Sequence, residues 1–148
     1  MIESLGLPKL IPIATTKPLG MAAKLTHAVN IEIISNYIQE YSKPEHNRFL
    51  FSYQIKIENQ NAEAIKLLTR HWYIFDSNGQ VKEVAGEGVI GEQPIIKPGE
   101  TFEYESYCEL RTDMGMMWGS YLMRNVETEK LFEAPIPEFQ LICPARLN

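Results

Sequence analysis

The stretch RFLFSYQIKIEN, residues 48–59, limits what this chain can become more than any other. Phe49, Phe51, Tyr53, Ile55 and Ile57 occupy every second position, and apart from Leu50 the gaps hold Ser52, Gln54 and Lys56. Only an extended strand sends alternate side chains to opposite faces, so one face is buried and the other wet. The pattern recurs. VNIEII sets Val29, Ile31 and Ile33 on one side, and TFEYESYCEL sets Phe102, Tyr104, Ser106, Cys108 and Leu110 against a mostly acidic face that includes Glu103 and Glu105. No segment of twelve or more residues carries a convincing 3.6-residue apolar stripe.

Turn chemistry separates the runs. Asp76-Ser77-Asn78-Gly79 lies between LLTRHWYIF and QVKEV, Pro98-Gly99 suits the central pair of a type II turn, and Glu127–Lys130 turns YLMRNV back toward LFEAPI. About seven strands with turn signals between them predict an all-β, antiparallel β-sandwich of the fibronectin type III or immunoglobulin kind, with a small barrel as the alternative. Pro135 and Pro137 place the last strand at a sheet edge or begin it there, because proline gives the ladder no N–H.

Composition excludes several functions. The 148 residues suit one domain, and 14 basic against 19 acidic side chains leave a net charge of −5, the wrong sign for a sequence-independent nucleic-acid binder. No run approaches the roughly 18–20 apolar residues of a membrane-spanning helix. Residues 1–25 read as a flexible or loosely packed arm: Glu3 stands where a signal peptide wants positive charge, and Pro8, Pro12 and Pro18 interrupt any apolar helix. Residues 26–148 read as the domain. Cys108 and Cys143 form no C-x-x-C pair and read as buried free thiols in a reducing compartment, the cytoplasm, although a disulfide stays open.

Chemistry is sparse. GEGVIGEQP, Gly86–Pro94, matches G-x-G-x-x-G, but the dinucleotide fingerprint needs a helix after its glycines, and Gln93-Pro94-Ile95-Ile96-Lys97-Pro98-Gly99 cannot form one. Two readings remain. In one, the glycines permit a bend or bulge at a sandwich corner. In the other, the amides around Gly86, Gly88 and Gly91 form an anion nest, Arg70 adds charge, and Glu87 or Glu92 positions Mg²⁺ against a phosphate ligand such as pyrophosphate or a dinucleoside polyphosphate. RHW, Arg70–Trp72, sends Arg70 and Trp72 to one face of a strand and His71 to the other. No H-x-x-x-H, H-x-H or G-x-S-x-G is present, and His27, His46 and His71 share no metal-ligand spacing. These absences favour a non-enzymatic module. TDMGMMWGSYLM concentrates soft and aromatic surface, and Met116, Met117, Trp118 and Tyr121 are its candidate contacts with a protein partner or a second copy, the chain being a monomer or a homodimer. Packing at a loop crossing between sheets is the alternative.

Taken together, RHW at 70–72, GEGVIGEQP at 86–94, PGE at 98–100, MWGSY at 117–121 and IPEF at 136–139 resemble the ApaG family, over a span from about Thr26 to the C-terminus. The resemblance implies a fibronectin type III-like sandwich. It also implies an association with cobalt and magnesium resistance and with a neighbouring dinucleoside-polyphosphate hydrolase. Related eukaryotic domains are attached to F-box proteins and to a polymerase-interacting protein, which implies a protein-binding module. The pyrophosphate role suggested for the family's glycine motif would fall here on Gly86, Gly88 and Gly91.

Overall fold

The alternating runs become strands, and the strands form two antiparallel sheets. The computed structural model describes residues 20–147. Strands β1 (Met21–Thr26), β2 (Val29–Tyr37), β3 (Phe49–Asn59) and β7 (Thr101–Leu110) build the first sheet in the order β1-β2-β3-β7. The second sheet runs β9 (Leu131–Ile142), β8 (Met114–Asn125), β4 (Ile65–Asp76), β5 (Val81–Glu87), and the two-residue β6 (Ile95–Ile96) also pairs with β4. This is a β-sandwich, as the period-two pattern predicted. Among the described residues, seven of the nine strands are those legible in the sequence, and β9 with its prolines lies at the end of its sheet.

One boundary moves. Residues 1–19 lie outside the described residues, but residues 21–25, read as the end of an arm, belong to β1 and pair with β2 from Met21↔Ile34 to Thr26↔Val29. MAAKLT shows little apolar alternation of its own, so its extended form follows from the edge β2 offers it. Among the described residues, the sandwich therefore takes in residues 21–25 as well as those from 26 onward.

The three anticipated turns each close through a backbone hydrogen bond, two within hairpins and the Pro98-Gly99 turn where the chain crosses between sheets. The Asp76 amide donates to the Gln80 carbonyl, that of Glu100 to Lys97 and that of Asn125 to Lys130, each at 2.9 Å. Asp76 does more than turn. Its buried carboxylate accepts the amides of Arg111 (2.7 Å) and Thr112 (3.1 Å) and the Thr112 hydroxyl, which pins the corner where the chain crosses from β7 to β8.

Between the sheets lie Ile31, Ile33, Ile55 and Ile57 from one side and Leu67, Met117, Met123 and Leu141 from the other, all fully buried. Each such side chain contributes roughly 1.5–3 kcal/mol of transfer free energy. The ring of Trp72 packs edge-on against Tyr53 (5.5 Å) and Phe139 (6.0 Å). Polar links also join the layers: the hydroxyls of Tyr104 and Tyr121 meet at 2.5 Å, Ser35 Oγ donates to the Gln140 carbonyl at 2.8 Å, and Asn59 Nδ2 donates to the Ile96 carbonyl at 2.9 Å. Among the described residues no buried side-chain nitrogen or oxygen lacks a partner, and no helix is long and apolar enough to cross a membrane.

Candidate functional site

The glycine motif occupies the end of β5 and the bend that follows. Here the chain leaves β4's flank, folds over, and returns as β6. Val89 and Glu92 exchange both backbone hydrogen bonds, at 2.8 and 2.9 Å, around the central pair Ile90-Gly91, whose φ angles are +42° and +80°. Positive φ at both central residues defines a type I′ turn, which explains Gly91. Gly88 has φ +62°, and a Cβ there would overlap the Glu92 carbonyl oxygen. Gly86 serves a third purpose. The guanidinium of Arg70 lies over it, and a Cβ would come within 3.1 Å of both Nη atoms.

Arg70 therefore does approach the bend, but it faces carbonyls. Its Nη1 donates to the carbonyl oxygens of Glu87 (3.0 Å) and Gly88 (2.9 Å). The amides are engaged as well: Gly88 donates to Leu68 O (2.8 Å), Val89 to Glu92 O and Glu92 to Val89 O. Gln93 Nε2 reaches the same Leu68 carbonyl at 2.9 Å. Leu68 is the extra residue of a bulge in β4, and its carbonyl is what the motif fastens onto. Glu87 and Glu92 are both exposed. Among the described residues no group of three or more His, Cys, Asp or Glu side chains is placed to hold a metal ion.

The methionine-rich stretch is not a loop crossing. Only Thr112-Asp113 lie at the crossing; MGMMWGSYLM folds as the body of β8, one continuous strand from Met114 to Asn125, and a strand divides its side chains by parity. Met117 (1% exposed) and Tyr121 (0%) point into the core. As candidate partner contacts these two are corrected, since a residue buried between the sheets cannot meet another protein. Met116 and Trp118 are on the opposite, outer face. Gly115 and Gly119 let β8 run close to β4: a Cβ on Gly119 would overlap the His71 carbonyl oxygen.

That outer face carries an organised cluster. Register puts Tyr73 opposite Trp118, His71 opposite Ser120 and Phe75 opposite Met116. The His71 and Tyr73 rings stack at 4.8 Å with 19° between planes, and Tyr73 and Trp118 stack at 5.6 Å with 13°. His71 Nε2 lies 2.5 Å from Glu83 Oε2 on the neighbouring strand. Thr69 and Leu122 continue the face toward one end, and Phe75, Met116 and the exposed Val81 toward the other. Of these, the sequence had singled out Met116 and Trp118. Tyr73, Phe75 and Leu122 escaped it, although the outward parity of His71, Tyr73 and Phe75 was present in RHWYIF.

Burial holds the phenols of Tyr104, Tyr121 and Tyr53 above their ordinary range, and it pushes the Cys108 thiol up to about 12. Cys108 and Cys143 are both buried and unpaired.

Fold and surface together define a β-sandwich domain with a laced glycine corner and one aromatic sheet face. Comparison with known proteins gives the family. The model of the ApaG domain, a domain of unknown function, matches residues 39–125. Protein ApaG of Rhodospirillum centenum is 43% identical over 124 residues, 84% of this chain and 95% of its own length. Protein ApaG of an Azoarcus species is 41% identical over 128 residues, covering 86% of this chain and all of its own. The crystal structure of the ApaA protein from Bordetella pertussis superposes with a TM-score of 0.76 at 37% identity, covering 86% of this chain and 98% of that one. The chain belongs to the ApaG family.

Proposed function

We propose that this chain is a non-enzymatic binding module that docks on another protein through the outer face of its second sheet. The observation that carries the reading is the ring stack His71–Tyr73–Trp118, continued by Phe75 and Met116. The two sheets pack inner face to inner face, so these rings stand on the solvent side. Isolated exposed apolar residues are ordinary, but contiguous aromatic surface at the centre of a face has the composition of an interface core. Pre-stacked rings have little conformational freedom left to lose on binding. The unpaired thiols suit a reducing cytoplasm. An association with cobalt or magnesium resistance would then act through the partner.

The glycine bend is the weaker candidate. A cradle for pyrophosphate or a nucleoside polyphosphate, with Mg²⁺ at Glu87 or Glu92, needs outward amides, and those of Gly88, Val89 and Glu92 donate to backbone carbonyls. Arg70, the charge nearest the bend, is likewise engaged with two carbonyls.

A photo-crosslinking side chain placed at Ser120, beside the stack, tests the sheet-face reading in cells of the source organism. The expected result is a discrete adduct with a different protein, absent when the crosslinker sits at Gln54 on the outer face of the first sheet. Trp118→Ala should remove the adduct while leaving the thermal midpoint nearly unchanged, as surface substitutions do. The same adduct from both positions, or none from Ser120, would refute the proposal.

A further inference from the structure

We infer that the partner presents a basic segment, with lysine or arginine side chains laid against the Tyr73 and Trp118 rings; this rests on the sheet-face reading above. The chemistry of the surround argues for it. Along β5 the outer positions include Glu83 and Glu87, paired in register with Tyr73 and Thr69. On the other flank β9 contributes Glu133, opposite Leu122, and Glu138, in the bulge between Ile136 and Phe139 that faces Trp118. All four carboxylates are exposed. The aromatic strip is therefore bordered by acids on both of its long sides.

The basic residues of this face are elsewhere. Lys66 and Arg124 pair with each other at the Ile65 end of the sheet, beyond the Leu68 bulge. Lys82, on β5, alternates to the side opposite Glu83. Within the strip, His71 is already turned to Glu83.

Aromatic faces attract cations through their quadrupole, and carboxylates beside them add a Coulomb term that also steers approach. An anionic or nucleic-acid partner would meet like charge on both borders. A neutral apolar partner would leave four carboxylates to be desolvated without compensation. A basic segment satisfies rings and rim together. The net charge of −5 has the same sign.

The experiment titrates the isotope-labelled full chain with a short peptide alternating arginine and glycine, and separately with its glutamate counterpart, following amide and indole N–H resonances. Saturable shifts at His71, Tyr73, Trp118 and Ser120 are expected with the arginine peptide alone. Binding should weaken on the order of tenfold between low and physiological salt, since exposed charges are screened over about 8–10 Å. The Glu83→Lys/Glu138→Lys double variant should lose the interaction with its resonances otherwise intact.

Several results would overturn the inference: no shift at this face, equal binding of the glutamate peptide, or binding that maps instead to Glu103, Glu105 and Glu109 on the other sheet. Concentration-dependent shifts at Trp118 without peptide would do so too, by assigning the face to a second copy. The two levels separate cleanly. If the Ser120 adduct survives the double charge reversal, the basic partner is wrong and the sheet-face contact stands. If no adduct forms at all, both fall.

Discussion

At the scale of single residues, the G-x-G-x-x-G pattern is explained by three different contacts. Gly86 makes room for the Arg70 guanidinium, Gly88 for the Glu92 carbonyl, and Gly91 takes the second positive φ of a type I′ turn. A sequence pattern names residue types, and here each glycine answers a separate demand of packing or backbone conformation. Between them sits a residue that fits its backbone poorly. Ile90 is β-branched, exposed and held at φ +42°, a conformation that costs such a residue about 1–3 kcal/mol. Ile90→Asn converts the turn centre to Asn-Gly, the pair type I′ turns prefer. Its expected effect is a stabilisation of about 1 kcal/mol, or a rise of roughly 3–5 °C in thermal midpoint. A scanning calorimetry trace with an unchanged or lower midpoint would show that Ile90 makes a contact worth more than the strain.

At the scale of the element, β8 decides the most. Read as a cluster, MGMMWGSYLM offers all its large side chains for contact; read as a strand, it sends Met117, Tyr121 and Met123 inward and Met116, Trp118 and Leu122 outward. Adjacent methionines thus have opposite fates. Met117→Ala should cost about 2–4 kcal/mol, the transfer free energy plus the cavity it leaves. Met116→Ala, on the outer face, should stay within about 1 kcal/mol. Urea denaturation of the two variants measures the difference, and equal losses would mean the strand's parity is not as described. The same reasoning governs β4, where Arg70 and Trp72 share the inner face and His71 and Tyr73 the outer one; alternation foretold the split between Arg70 and Trp72 on one side and His71 on the other.

At the scale of the whole molecule, the interior holds neutral phenols and a neutral thiol, and its stability should fail on the alkaline side. Tyr53, Tyr104 and Tyr121 lose their protons less readily folded than unfolded, because burial disfavours the phenolate, and Cys108 does likewise. The folded state then binds more protons than the unfolded one above the unfolded values, so stability falls as pH rises. The contribution is complete below about pH 8.5, where even an unfolded thiol stays protonated, and declines most steeply above about pH 10 as the tyrosines join. Denaturant midpoints measured from pH 7 to 11 check this, and a flat profile would contradict the burial of these groups. Much of the molecule was legible beforehand. Period-two alternation, the three turns and the edge-seeking prolines determined a sandwich and most of its strands, because burial of one sheet face is written locally into each strand. Tertiary structure alone decided the rest. Strand β1 exists because β2 offers it an edge, the Gly88 amide is taken up because the bulged Leu68 presents its carbonyl, and Trp118 meets Tyr73 because β8 pairs with β4 in one register. Each depends on which strands lie side by side, and long-range pairing leaves no mark on the residues of either partner.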